Sequence, residues 1–345
     1  MTDHAIRRGG LAALALAGLL SAPAAAQEVT LSMHHFLGPN APTHKSFMVP
    51  WAERVEAASG GRIDIEIFPA MSLGGKPPEL YSQVRDGVAD IVWTLPGYTP
   101  GVFPRVEVFE LPGVHLNSAE VTNQAIQEIW PMLAADFEDV KPILVHVHAG
   151  NALHLIDAAV AGPEDIADLK LRTPSRTGAW LIEAWGAEPV GMPVPALPQA
   201  LARGVVAGAL VPFEIIAPLK LHELTGVSVE GPDGARCGTA VFRCAMNRGR
   251  YEALPDDLKQ VIDDHSGIAI ATEAGVLWDG FEAPGYRLQR ESGGEVVTLS
   301  PEAMAAFDAR SAPVVDRWVE GSADQGFDGA ALVEAARAAM QKHAE

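Results

Sequence analysis

The chain has 345 residues, 48% of them hydrophobic and 20% charged, with a formal net charge of -19. So acidic a protein repels phosphate backbones and anionic lipid, which excludes nucleic-acid and membrane-surface partners. It does not exclude an anionic ligand, because one arginine in a dry cleft can dominate the local potential.

Arg7-Arg8, an apolar run from Leu11 to Leu20 too short to span a bilayer, and Ala24-Ala25-Ala26 before Gln27 have the layout of a cleavable export signal. Residues 1–26 are therefore read as a signal peptide cut near Ala26, giving an exported, periplasmic product. The paired arginines fit both a twin-arginine route and an ordinary secretory n-region. The signal carries Asp3 against Arg7 and Arg8, so the mature part is at -20. No later segment is long and apolar enough for a membrane helix, so direct membrane insertion is not expected. Cys237 and Cys244 are the two cysteines. Their spacing fits no metal or redox motif, and one local bridge or two free thiols are both open.

A mature chain this long exceeds one ordinary core and predicts two lobes. Val29–Met33 alternates as a strand, 42–59 carries Phe47, Trp51 and Val55 at helical spacing, and Ile63–Ile67 alternates again, which is a β-α-β opening and an α/β fold. A weak internal echo follows. A helix over 78–86, Gly87 and a strand to Thr94 are matched by a helix over 196–203, Gly204 and a strand to Val211. Two such lobes form a cleft, with ligand outside the carboxyl ends of the strands, near Trp93-Thr94 and Phe213-Glu214. The segment 254–281 reads as one long helix bracing both lobes. The expected division is 27–150 with part of 238–300 as lobe I, 151–237 with part of the C-terminal region as lobe II, and 301–345 as a helical end.

Arg172 closes the strand Leu169–Arg172 just before Thr173-Pro174-Ser175, the entry to a helix reaching Trp185. Helix amides and a planar guanidinium converging on one spot would bind a carboxylate. Taken alone, such an arginine is more often simply exposed. Phe36, Trp93 and Phe213 fall near the predicted cleft, although aromatic residues are more often core than ligand platforms. Glu214 could pair with a ligand hydroxyl or ammonium, or equally with solvent or Lys220. His34 and His35 point to opposite faces of a strand, and His146 with His148 would need a third ligand, so no metal is expected. His35 is read as lining the cleft beside Phe36. Esterase, phosphate-loop and dinucleotide signatures do not occur, so neither catalysis nor a cofactor has positive support.

The chain resembles the solute-binding subunits of TRAP transporters, the DctP-like periplasmic binding proteins. The resemblance rests on Pro163-Glu164-Asp165-Ile166 leading into Leu169–Arg172, Gly186-Ala187, Met192-Pro193, and Ala200–Val206 with Gly208 and Pro212. Further matches are Gly61-Arg62-Ile63, Leu73-Gly74-Gly75, Gly87–Ile91, Leu111-Pro112 and Met246-Asn247 before Leu254-Pro255. They span essentially the whole mature chain. The resemblance implies a two-lobed, hinge-closing receptor that delivers a small organic carboxylate to small and large permease subunits driven by an ion gradient. It also implies Arg172 as the carboxylate anchor and Ser175 as an auxiliary donor. Three departures bear on the ligand: Ala209-Leu210-Val211 stand where many members have Gln-Glu-Asn, Ala152 where sialic-acid binders have a second arginine, and Val194 where they have an aromatic. Asn151 and His154 lie close to that missing arginine. The expectation is thus a less polar pocket for a carboxylate with an apolar or aromatic body, walled by Trp93, Phe36, Phe213 and Glu214. An exported metal-dependent hydrolase and a periplasmic ligand sensor are the competing readings.

Overall fold

The computed structural model describes residues 27–345; the export-signal pattern lies outside the described residues. Among the described residues eleven strands form two mixed sheets, one per lobe. In chain order they are β1 (Val29–His35), β2 (Ile63–Phe68), β3 (Ile91–Thr94), β4 (Val140–Val147), β5 (Ala152–Leu155), β6 (Lys170–Thr173), β7 (Glu188–Gly191), β8 (Gly208–Val211), β9 (Val227–Glu230), β10 (Val241–Asn247) and β11 (Glu295–Thr298). The first sheet runs β2-β1-β3-β10-β4 and the second β11-β9-β5-β8-β6-β7. β1 pairs in parallel with β2 and β3, the mark of β-α-β crossovers, while β10 enters antiparallel to both β3 and β4.

The helix expected over 42–59 is present as a wide turn, Thr43–Met48, running into Val49–Ala58, with Phe47, Trp51 and Val55 buried. The internal echo is also real in space: Leu80–Arg85 precedes β3 and Leu197–Ala202 precedes β8. Each deposits the carboxyl end of its strand at the space between the sheets.

The chain crosses between sheets at 148–151 and again at 231–240. These two crossings bond to each other, Asn151 N–H to Gly238 O at 2.8 Å and Cys237 N–H to Asn151 O at 2.8 Å. Thr239 Oγ1 adds a bond to His148 O at 2.9 Å. Gly150 adopts φ 130°, and a Cβ there would lie 2.5 Å from the Arg236 Cβ. The crossings are therefore a compact two-stranded joint.

The single helix expected over 254–281 is two. Asp256–Asp264 ends at His265, and Ile268–Glu291 starts afresh after Gly267 at φ 60°. The second helix, 24 residues long, is the actual brace. A Cβ on its Gly275 would lie 2.3 Å from the Glu120 Cα, and one on Gly285 would lie 1.9 Å from the Phe213 carbonyl oxygen. Glycine thus lets one helix lie directly on backbone in both lobes. Asp279 on the same helix accepts from Ala119 N–H at 2.7 Å, fixing the N-terminus of the helix Ala119–Glu128. The last helix, Gly329–Ala344, buries Leu332, Val333, Ala336, Ala339 and Met340 within the chain. Cys237 and Cys244 are free thiols, Cys244 buried on β10.

Candidate functional site

Between the lobes lies a cavity whose lining surrounds about 390 Å³ not filled by atoms, open solvent at its mouth included. Its lobe I wall is aromatic: Phe36 stacks on Trp93 at 5.1 Å between ring centroids and Trp93 on Phe242 at 4.9 Å. The stack follows from sheet register. β3 and β10 are antiparallel neighbours with Cys244 opposite Trp93, and Phe36 follows the last residue of β1. Trp93 is fixed from behind by its indole N–H, which donates to His146 Nε2 at 2.9 Å. The lobe II wall is aliphatic, from Val194, Leu210, Val211 and Ile215. Two of the three departures noted in the sequence therefore supply lining residues: Val194, and Leu210 and Val211 of the 209–211 run, with Leu210 turning its carbonyl to Arg172.

The polar end is built around Arg172. It is only 2% exposed, in β6 beside β8. Its Nε donates to Met192 O at 2.9 Å and Nη1 to Leu210 O at 3.4 Å, while Nη2 is buried and has no acceptor among the described residues. Burial lowers its pKa, with Tyr98 acting in the opposite direction. A buried guanidinium without a carboxylate is costly. Two main-chain carbonyls fix the orientation of this one without neutralising it, which leaves a rigid, electropositive donor facing an apolar chamber.

Three further groups surround it. Tyr98, on the turn after β3, accepts from Val194 N–H at 2.9 Å and sits against the Arg172 guanidinium. With its oxygen so engaged, the hydroxyl hydrogen is free to donate into the cavity. His148 Nδ1 accepts from Gly150 N–H at 3.0 Å, so the neutral ring carries its hydrogen on Nε2 as another donor. Burial, reinforced by His115, His146, Arg172 and Arg236, keeps that ring well below its ordinary pKa. Asn151, from the joint, completes the lining. Arg172, Tyr98, His148 and Asn151 together supply donors suited to the two oxygens of one carboxylate.

At another part of the lining is Glu214, 6% exposed, with Oε2 buried and unpartnered. Its backbone N–H donates to Glu282 Oε1 at 3.0 Å. Burial and then the Glu282 charge push its pKa well up, and the Trp278 indole faces it. Arg236 is engaged elsewhere, ion-paired to Glu230 and Glu282 and lying over the Phe213 ring at 5.0 Å.

Of the residues expected from sequence, Arg172, Trp93, Phe36, Glu214 and Asn151 converge on this cavity; Phe213, Ser175 and His35 do not line it. Pro212 ends β8, and the turn Phe213–Ile215 sends successive side chains to opposite sides. Glu214 faces the cavity, whereas Phe213 packs on His154 at 4.9 Å and Tyr286 at 5.1 Å. Ser175 caps its own helix, Arg176–Ala184, by accepting from Gly178 N–H at 3.2 Å, so its hydroxyl is engaged within that helix. His35 turns to the helical side, its Nε2 3.0 Å from His44 Nδ1, and burial lowers its pKa to about 3. No cluster of three metal-ligating side chains occurs among the described residues.

Tyr98, Phe242 and His148 are among the lining groups that the sequence did not single out as ligand contacts. Tyr98 had a signal, since it lies in the short turn after β3 as Glu214 lies in the short turn after β8. Phe242 is reached only through the antiparallel entry of β10. A second buried arginine, Arg243, alternates to the other face of β10, where it stacks between Phe103 and Tyr81 at 3.7 and 4.6 Å.

A donor-lined, aromatic-walled cavity between two α/β lobes, beside a two-stranded joint, defines a ligand-capturing receptor. The family model for bacterial extracellular solute-binding protein family 7, DctP, matches residues 33–321, and the chain belongs to that family. It is 44% identical to a marine metagenome TRAP solute-binding protein specific for aromatic acid ligands, with a TM-score of 0.89 over 92% of this chain and 100% of that one. It is 39% identical to a TRAP solute-binding protein of Rhodoferax ferrireducens T118 in complex with copurified benzoate, again with a TM-score of 0.89, over 92% and 98% of the two chains. The C4-dicarboxylate-binding periplasmic protein DctP of Rhodobacter capsulatus is 26% identical over 314 residues, covering 90% of this chain and 92% of that protein. The chain is thus a TRAP solute-binding protein, and its family is one of receptors rather than enzymes.

Proposed function

We propose that this chain captures an aromatic monocarboxylate in the periplasm and hands it to the small and large membrane subunits of a TRAP permease, returning the ligand chemically unchanged. In this reading residues 1–26 direct export and are removed. One observation carries the ligand class: a buried Arg172 whose Nη2 lacks an acceptor opens on a chamber walled by Phe36, Trp93 and Phe242. The guanidinium takes the carboxylate bidentately, Tyr98 and His148 donate to the same oxygens, and the ring of the acid lies along the aromatic wall. Among the described residues no second arginine or lysine lines the chamber, which disfavours dicarboxylates. The aromatic acids bound by the two similar solved proteins support the same assignment.

The test is a thermal-shift and calorimetric panel on refolded, ligand-stripped protein. Ligand at a hundred times its Kd stabilises by about 2.7 kcal/mol. Benzoate-class acids are expected to shift the melt, and succinate and free amino acids to leave it unchanged. A shift with the dicarboxylate alone, or with none of the acids, would overturn the assignment.

A further inference from the structure

Arg172 and its companions account for a carboxylate, and the aromatic stack for a ring, but neither accounts for Glu214. A carboxyl group is an expensive thing to place in an apolar chamber. Here its Oε2 is buried without a partner, although Arg236, the nearby cation, is close enough to pair with Glu282 and Glu230. The indole N–H of Trp278, fully buried on the bracing helix, faces the same carboxyl and favours its charged form, but it does not come within normal hydrogen-bond geometry of any acceptor among the described residues. The acid and the indole donor thus adjoin each other beside the chamber, loosely placed and with hydrogen-bonding capacity to spare. Their neighbours, Glu282 and Trp278, belong to the bracing helix, whereas those of Arg172 are Tyr98, Met192 and Leu210. The two polar groups of the chamber thus rest on different neighbours.

Resting on the aromatic-monocarboxylate reading, we infer that Glu214 is a specificity-determining residue that recognises a hydroxyl group carried on the ring of the ligand. The preferred ligand is then a hydroxylated aromatic acid rather than the plain one. A hydroxyl is both donor and acceptor, and so is a neutral carboxyl; its O–H can donate to Glu214 while its oxygen accepts from Glu214 or Trp278. An ammonium would require the ionised acid, which burial beside Glu282 disfavours. A second carboxylate would meet no free cation here, Arg236 being paired with Glu230 and Glu282. A site built to bond a hydroxyl also rejects the analogue that lacks it, because its own polar atoms are then left unpaired.

The experiment compares benzoate, the three hydroxybenzoates and the three methylbenzoates by calorimetry on the wild-type mature protein. Methyl and hydroxyl are close in size, so the ratio of affinities at each ring position isolates the hydrogen bond. At one position the hydroxyl acid should bind at least about tenfold tighter than its methyl counterpart. In Glu214→Leu that ratio should collapse toward one, and Glu214→Gln, which can still donate and accept, should restore most of it. The wild-type series stands by itself if the leucine variant does not fold. Methyl acids binding as tightly as hydroxyl acids at every position would overturn this inference and leave the aromatic reading standing. So would a leucine variant that weakens both series by the same factor. Failure of all seven acids to bind would overturn both.

Discussion

Replacing Arg172 separates a ligand anchor from a structural residue, because the two roles predict opposite effects on the empty protein. The guanidinium is buried, makes two bonds to main-chain carbonyls and has no acid partner. Truncating one member of a buried, hydrogen-bonded charge pair typically costs about 2–5 kcal/mol of binding, and at 1.4 kcal/mol per decade that is roughly 30-fold to several thousand-fold in Kd. The same substitution relieves the ligand-free protein of a desolvated charge, and apolar replacements of buried charges are often neutral or stabilising. Arg172→Met should therefore raise the Kd for benzoate-class acids by at least about 30-fold while leaving the ligand-free melting temperature level or higher. Arg172→Lys keeps the charge but loses the fork and should recover only part of the affinity. Calorimetry gives the Kd and a scan of the stripped protein gives the melt. An unchanged Kd, or a melting temperature that falls in step with affinity, would refute the assignment.

Because the ion pair forms out of solvent, its affinity should change less than about threefold between 0.05 and 0.5 M NaCl, unlike a surface pair screened over a Debye length of about 10 Å at 0.1 M. A steep salt dependence in calorimetry would place the carboxylate elsewhere. Gly285→Ala puts a Cβ against the Phe213 carbonyl; overpacking of this kind costs about 1–3 kcal/mol, and displacing the Phe213–Ile215 turn should weaken ligand binding as well. Chemical denaturation and calorimetry on one preparation check both effects, and an alanine variant with native stability would show that the brace is loose. Glu282 is held by burial at a pKa of about 7, above its ordinary 4.5. An acid with the higher pKa when folded binds more protons in the folded state, so its contribution makes stability fall as pH rises from about 4.5 to about 7. Glu282→Gln should remove that slope, so the variant gains on wild type across this window, read as the difference between their melting temperatures. A flat difference would mean that the carboxyl is ionised throughout.

Period-2 and 3.6-residue patterns made β1, β2, the helix after Pro42 and the repeated helix–glycine–strand units legible, because each is set by local burial. Arg172 was legible through its place at a strand end and its matched surroundings. What escaped was decided by long-range pairing. Phe242 reaches the aromatic wall because β10, far along the chain, inserts between β3 and β4. Phe213 and Glu214 were assigned to one wall, but a single turn after Pro212 separates them. Spacing presents His148 only as a metal ligand with His146; its place as a donor depends on a bond from Gly150 N–H that no spacing reveals. The break at Gly267 was missed because the apolar period continues on both sides of it, and only the backbone dihedral interrupts the helix.

The joint and the binding station share residues, and this bears on how capture is coupled to movement. Asn151 lines the chamber with its side chain while its backbone ties the two crossings together through Gly238 and Cys237. His148 does the same, lining the chamber while bonded to Gly150 and to Thr239 in the other crossing. Arg172 and Glu214 come from the second sheet, Phe36, Trp93 and Phe242 from the first. A carboxylate held by Arg172 with its ring on the aromatic wall is thus in contact with both lobes and with the joint between them. Such a ligand has more contacts with the closed arrangement than with any in which the sheets have parted, and that differential affinity is what shifts a two-state equilibrium. A carboxylate lacking the ring would satisfy Arg172 but leave the opposite wall untouched. It should bind without stabilising closure, so the distance between labels placed on the two lobes should shorten with benzoate and not with acetate, even at saturating acetate.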